Sequence, residues 1–240
     1  MTGDGWTQAV RRRLGLGRVL PLGGAADGTW VTETAAVAAL RRAAGQVAGV
    51  HSGDLRIGVA DPERKDVAAV PPPPSALPPG PLRITADVAA TTARPLPEAA
   101  ARLRTVLSEA ADRIGLVVAE VDLRVTALLD DEDAGSQDAA ERPTAEAAAA
   151  ATPEGDGDAA RAARAALSVP GVARLTEALG PAVHLEEHAA QDALPRRHAR
   201  VELATDREHR ALDVALAVRA AVGDALSDRP SVAVLVTAVE

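Results

Sequence analysis

Two stretches of this chain carry the same order of helical and extended hydrophobic patterns, and that repetition restricts the fold more than any single motif does. The segment Ala43-Ala44-Gly45-Gln46-Val47-Ala48-Gly49-Val50 matches Ala165-Ala166-Leu167-Ser168-Val169-Pro170-Gly171-Val172 at five of eight positions, and 121–127 aligns with 232–238. In the first stretch Val37, Leu40, Ala44 and Val47 fall on one face of a helix that Gly49 stops. Strands are expected at 54–60 and 82–88, with Leu82, Ile84, Ala86 and Val88 sharing a face. Pro95 and Pro97 preset a long helix whose stripe runs from Ala99 to Ile114, and Gly115 releases the chain into a strand over 117–128. The second stretch repeats the order: a helix near 159–179, strands near 182–188 and 198–204, a helix over 207–227 and a strand over 231–239. The expected fold is α+β. It consists of two tandem α-β-β-α-β units, each a three-stranded sheet with helices on one face and a parallel right-handed last crossover.

Charge separates the units. Residues 130–158 hold ten acids and one base, so this segment carries −9 of a net −8 and the remainder sums to +1. With no large apolar residues it cannot offset the chain entropy lost on folding, and it reads as a disordered acidic linker. The run Val70-Pro71-Pro72-Pro73-Pro74-Ser75-Ala76-Leu77-Pro78-Pro79-Gly80-Pro81 reads as a semi-rigid spacer. The expected organisation is a flexible arm over 1–28, a first unit over 29–129 with its proline-rich insert at 70–81, the linker, and a second unit over 159–240.

The second unit's long helix is apolar on two sides. Val214, Val218 and Val222 lie on its core stripe, while Leu212, Leu216, Ala220 and Gly223 occupy the face that is polar in the first unit. The last strand is likewise two-faced, with Leu235 and Val239 opposite Val232, Val234 and Val236. Leu212, Leu216, Ala220, Gly223, Leu235 and Val239 are therefore the candidate interaction residues. What covers them is the first unit, another copy or a different protein, and the pattern leaves all three open.

Composition argues against chemistry. The chain has no Cys, Phe or Tyr and only two Trp, which excludes disulfides, thiolate metal sites, thiol nucleophiles and aromatic base-stacking platforms. A single lysine among many arginines, in an Ala-, Gly- and Pro-rich chain, is the mark of a high-GC bacterial gene. No apolar run is long enough to span a bilayer. The sharpest enzyme-like string is His184-Leu185-Glu186-Glu187-His188, which fits H-x-x-E-H. That pattern needs a helix to bring both histidines to one face, whereas the repeat places it on a strand with His184, Glu186 and His188 turned outward. His51, His198 and His209 read as surface residues. No catalytic, cofactor or metal residue is assigned. Two alternatives are a small metal-binding or hydrolytic protein using His184, Glu187 and His188, and a KH-like nucleic-acid module. The latter lacks its G-x-x-G loop and any basic stripe.

Trp30-Val31-Thr32-Glu33 leads into the helix ending Val47-Ala48-Gly49-Val50. Gly115-Leu116-Val117 leads into Val121-Asp122-Leu123-Arg124-Val125, and Val169-Pro170-Gly171-Val172 recurs in the second copy. In these motifs the chain resembles the alkaline-shock family of Gram-positive general-stress and envelope-stress proteins, as a divergent tandem form. The resemblance implies a non-enzymatic cytoplasmic protein without a cofactor. It would assemble with itself, with a paralogue or with a small membrane-anchored partner, binding no nucleic acid and not itself spanning the membrane.

Overall fold

The computed structural model describes residues 15–64, 66–92, 94–129, 155–190 and 193–240, with side chains throughout except over 188–195. The elements are β1 (Val19–Leu22), β2 (Thr29–Thr32), α1 (Glu33–Ala44), β3 (Val50–Val59), β4 (Leu82–Thr91), α2 (Leu96–Ile114) and β5 (Val118–Leu129). After the undescribed segment come α3 (Asp158–Leu167), β6 (Val172–Leu175), β7 (Val183–Ala190), β8 (Ala193–Thr205), α4 (Ala211–Ala225) and β9 (Ser231–Val239). The fold is α+β, as the sequence patterns indicate.

Both stretches pair an antiparallel strand couple with a third strand that returns parallel after a helix. β3 is antiparallel to β4 and β5 parallel to β4; β6 and β7 are antiparallel to β8 and β9 parallel to β8. The hinge before the first strand is also shared. Gly49 (φ 77°) accepts from Thr91 N–H and Gly171 (φ 92°) from Asp206 N–H, each at 2.9 Å. Such positive φ values are open to glycine at little steric cost.

The sheets are unequal, which departs from the expected pair of three-stranded units. β3-β4-β5 form one, while the other has six strands in the order β1-β2-β9-β8, with β6 and β7 sharing β8. The two additional strands come from residues assigned by sequence to the flexible arm and to the head of the first unit. β1 is buried along its whole length, and β2 lies parallel to β9 with Trp30 opposite Leu235. A four-residue strand is too short to show a period of its own; it exists because β9 offers it an unpaired edge. The expected helix over 159–179 is likewise shorter. It ends at Leu167, before Pro170 and Gly171, and the chain then forms β6. The proposed disordered linker lies outside the described residues over 130–154. Its last acid, Asp158, opens α3 and binds Arg197 of β8 at 2.8 Å.

The proline-rich insert is not a free spacer. Leu77 N–H donates to the Val19 carbonyl (2.8 Å) and Ala69 N–H to the Ala25 carbonyl (2.9 Å), so 75–77 is tied to β1 and Ala69 to the turn that follows it. Val70 is buried with Val19, Trp30, Ala233 and Leu235. This cluster covers the second apolar face of β9. The other face packs with α3, α4 and both helices of the first stretch into one continuous core.

The second apolar face of α4 is covered in the same way, by the chain itself. Leu212 is buried, seated against Gly115 and Gly23, whose main chains bond to each other (Gly23 N–H to Gly115 carbonyl, 2.9 Å). Arg210 Nε closes the joint by donating to the Asp112 carbonyl at the end of α2 (2.9 Å). A methyl group on Gly115 would overlap the Leu212 Cβ, and the residue's φ of 95° is itself unfavourable for an L side chain. Gly223, inside α4, has open space around it. Gly115→Ala is therefore expected to lower unfolding free energy by about 2 kcal/mol or more, while Gly223→Ala raises it by about 0.5–1 kcal/mol. Urea titrations of the two variants check both signs.

Candidate functional site

The sequence-derived interaction residues divide once their surroundings are known. Leu212 and Leu235 are buried within the protein and are not available to a partner. Leu216 and Val239 are partly buried against the main core, Gly223 is half-buried, and only Ala220 is exposed. The two-sided helix and strand thus find their second partners within this chain: the α2 terminus, the β1–β2 hairpin and the proline-rich insert.

The H-x-x-E-H string lies on β7. Its register pairs His184 with Arg200, Glu186 with His198 and His188 with Arg196, whereas Glu187 pairs with Arg197 in the alternate phase. Strand alternation therefore places Glu187 on the face opposite positions 184 and 188. Two positions four apart on a strand are separated by about 13 Å, too far to share one metal ion. His184 instead lies 3.6 Å from Glu186. Among the described residues no group of three or more His, Asp or Glu is placed to hold a metal.

His198 is buried, contrary to the surface reading, with Nδ1 2.8 Å from Ser231 Oγ. It shares a sheet face with Arg200 and Glu202, which the sequence patterns did not single out. Glu202 is fully buried. Its Oε2 accepts from Ala178 N–H (2.7 Å) and Leu179 N–H (2.9 Å), and its Oε1 from Arg200 Nε (3.2 Å). Its main chain also grips the loop between β6 and β7, with Glu202 N–H donating to Ala182 and Thr176 N–H to Glu202. Burial pushes the Glu202 carboxyl up to about 6 despite those donors, because desolvation of the charge outweighs them. The group is a structural tie: its donors come from its own loop and strand. Its only sequence signal is the alternation Arg200, Glu202 in β8, which an open sheet would present to water.

The remaining polar clusters are also structural. Glu33 bonds Arg18 (2.9 Å to Nη2) and accepts from Ile57 N–H (3.3 Å), while Arg18 also reaches the Ile57 carbonyl (2.5 Å). Burial raises the Glu33 carboxyl, but Arg18 and the two main-chain donors prevail and hold it below its ordinary range. These contacts occupy the outer edge of β3, as Arg41 does at Gly53 (3.4 Å). The outer edge of β1 is covered by 75–77.

β5 is different. It is the other edge of the three-stranded sheet, and no described strand pairs with its outer side. Val125 (41% exposed) and Leu128 (59%) lie on it and Val117 (47%) immediately precedes it; among the described residues the other large exposed apolar ones are Val67 and Leu167. On its polar face Arg83 reaches Glu120 (2.6 Å) and Asp122 (3.6 Å), and Arg124 reaches Asp87 (3.9 Å), all solvated pairs. No described helix is long and apolar enough to cross a membrane. No family model, curated protein or solved structure matches the chain.

The raised folded-state value for Glu202 has a definite sign in stability. The folded protein binds more protons than the unfolded chain between about pH 4.5 and 6. This residue's contribution is thus fully present below that window and lost as pH rises through it. Wild-type protein is expected to lose about 1.5 kcal/mol more than Glu202→Gln between pH 4.5 and 6.5. Denaturant midpoints across that range test the difference; parallel curves would contradict it.

Proposed function

We propose that this chain is a non-catalytic protein-interaction module, akin to the envelope stress-response proteins its motifs resemble, acting in the cytoplasm by contact with a second copy or with a membrane-anchored partner. One observation carries the reading. Three of the five large exposed apolar side chains among the described residues, Val117, Val125 and Leu128, lie on or beside β5. Apolar side chains grouped at an unpaired edge are a template for a further strand or partner surface. The polar groups that invite a chemical reading support the same conclusion, because Glu202, Glu33 and Arg18 are engaged in holding the fold together.

The test uses wild-type protein and a Val125→Glu, Leu128→Glu variant, both substitutions at exposed positions. Proteins from membrane and soluble fractions of the source organism that bind the wild type are purified and titrated against both forms. Binding weakened at least about tenfold by the two substitutions is expected. Equal affinity for both forms, or stoichiometric zinc with hydrolytic activity in the purified wild type, contradicts the proposal.

A further inference from the structure

The exposed edge carries a sequence that complements itself. Register shifts against β4 leave Ala119 and Thr126 as extra residues, so the regular part of β5 is 120–125. Its centre reads Val121-Asp122-Leu123-Arg124-Val125. Laid antiparallel on another copy with Leu123 at the dyad, this segment sets Leu123 against Leu123, Val121 against Val125, and Asp122 against Arg124, the last two pairings occurring twice. Arg104 Nε donates to the Val121 carbonyl from α2 at 3.3 Å, which marks the outward main-chain phase. Strand alternation then turns the main-chain groups of Leu123 and Val125 to the same side. Asp122 and Arg124 consequently fall at non-hydrogen-bonded positions, where side chains of facing antiparallel strands approach most closely.

We infer that two copies of this chain associate about a twofold axis by antiparallel pairing of β5, joining their three-stranded sheets into one six-stranded sheet with Asp122 of each copy facing Arg124 of the other. This rests on the reading of the protein as an interaction module and names its partner. Three features favour a second copy over an unrelated strand. Charge complementarity is satisfied twice by one register, and slipping by a residue would set charged positions against apolar ones. The existing intramolecular contacts of these charges are long and solvated, so both remain able to bond across the dyad. At the opposite edge, β3, both main-chain groups of Ile57 are taken by Glu33 and Arg18 and the Gly53 carbonyl by Arg41. Among the described residues β5 has the single contact from Arg104 to the Val121 carbonyl, which the Val125 N–H of the second copy replaces. Association therefore ends at a dimer and does not propagate into a fibre.

Sedimentation velocity on the full chain over a range of concentrations tests the inference. Wild-type protein is expected to reach a dimer. Asp122→Arg places arginines opposite each other and Arg124→Asp places aspartates opposite each other. Each is expected to weaken association about tenfold or more. The deciding arm is an equimolar mixture, in which the paired arginines of the first variant meet the paired aspartates of the second and the dimer returns. A loss of folding in either variant could not produce that recovery. A wild type that stays monomeric, variants that dimerise as the wild type does, or a mixture that stays monomeric each overturns the inference. A monomeric wild type that still binds a host protein through Val125 and Leu128 overturns only the self-pairing; absence of both overturns the interaction reading as well.

Discussion

The parallel contact between β2 and β9 is the constraint on which the rest of the structure depends. Thr29, Trp30 and Val31 lie beside Val234, Leu235 and Val236, joining residues some two hundred positions apart. This contact turns the end of one stretch's sheet into the middle of a six-stranded one and places Trp30 against Leu235. The Trp30 indole N–H is buried without an acceptor among the described residues, so the ring is retained there for its apolar area and despite its polar tip. The same pairing delivers Thr32 as N-cap of α1, its hydroxyl accepting from Ala35 N–H and donating to the Thr237 carbonyl. Helix, hairpin and C-terminal strand are thus fixed together.

From that contact follows the accounting of apolar surface. A helix and strand that are greasy on two sides must be covered twice. Here the second cover is local: Gly23 and Gly115 over Leu212, the proline-rich insert over Leu235. Both devices depend on small or rigid residues that approach closely. With those faces covered internally, the apolar surface still exposed at β5 stands out, and it is there that a contact with another chain has something to gain.

Much of the architecture was legible because its signals are local. The stripe of α2, the alternation in β4 and the glycine stop at Gly115 each lie within a few residues, and each element they announce exists. What escaped reading depends on distant partners. Val19–Leu22 forms a strand only because β2 and the 75–77 segment flank it. His198 reads as a surface residue and Glu202 is not singled out, because nothing near them in sequence shows that Ser231, or the loop between β6 and β7, closes over them. The alanine-rich pattern runs on past the true end of α3 at Leu167 because alanine continues a helical pattern weakly, and Pro170 decides where it ends. At the candidate edge the alternation of β5 is readable but its position at the edge is not, since any strand of a sheet covered on one face alternates in the same way.

The central claim is that the β2–β9 contact makes the two stretches one cooperative body. Native-state hydrogen exchange measures this directly. The amides of Val31, Val234, Leu235 and Val236 are expected to open only in the same global event as those of Ile84 and Ala86 in β4, with one denaturant dependence. Separate opening free energies, one set for β4 and another for β8 and β9, would contradict the account.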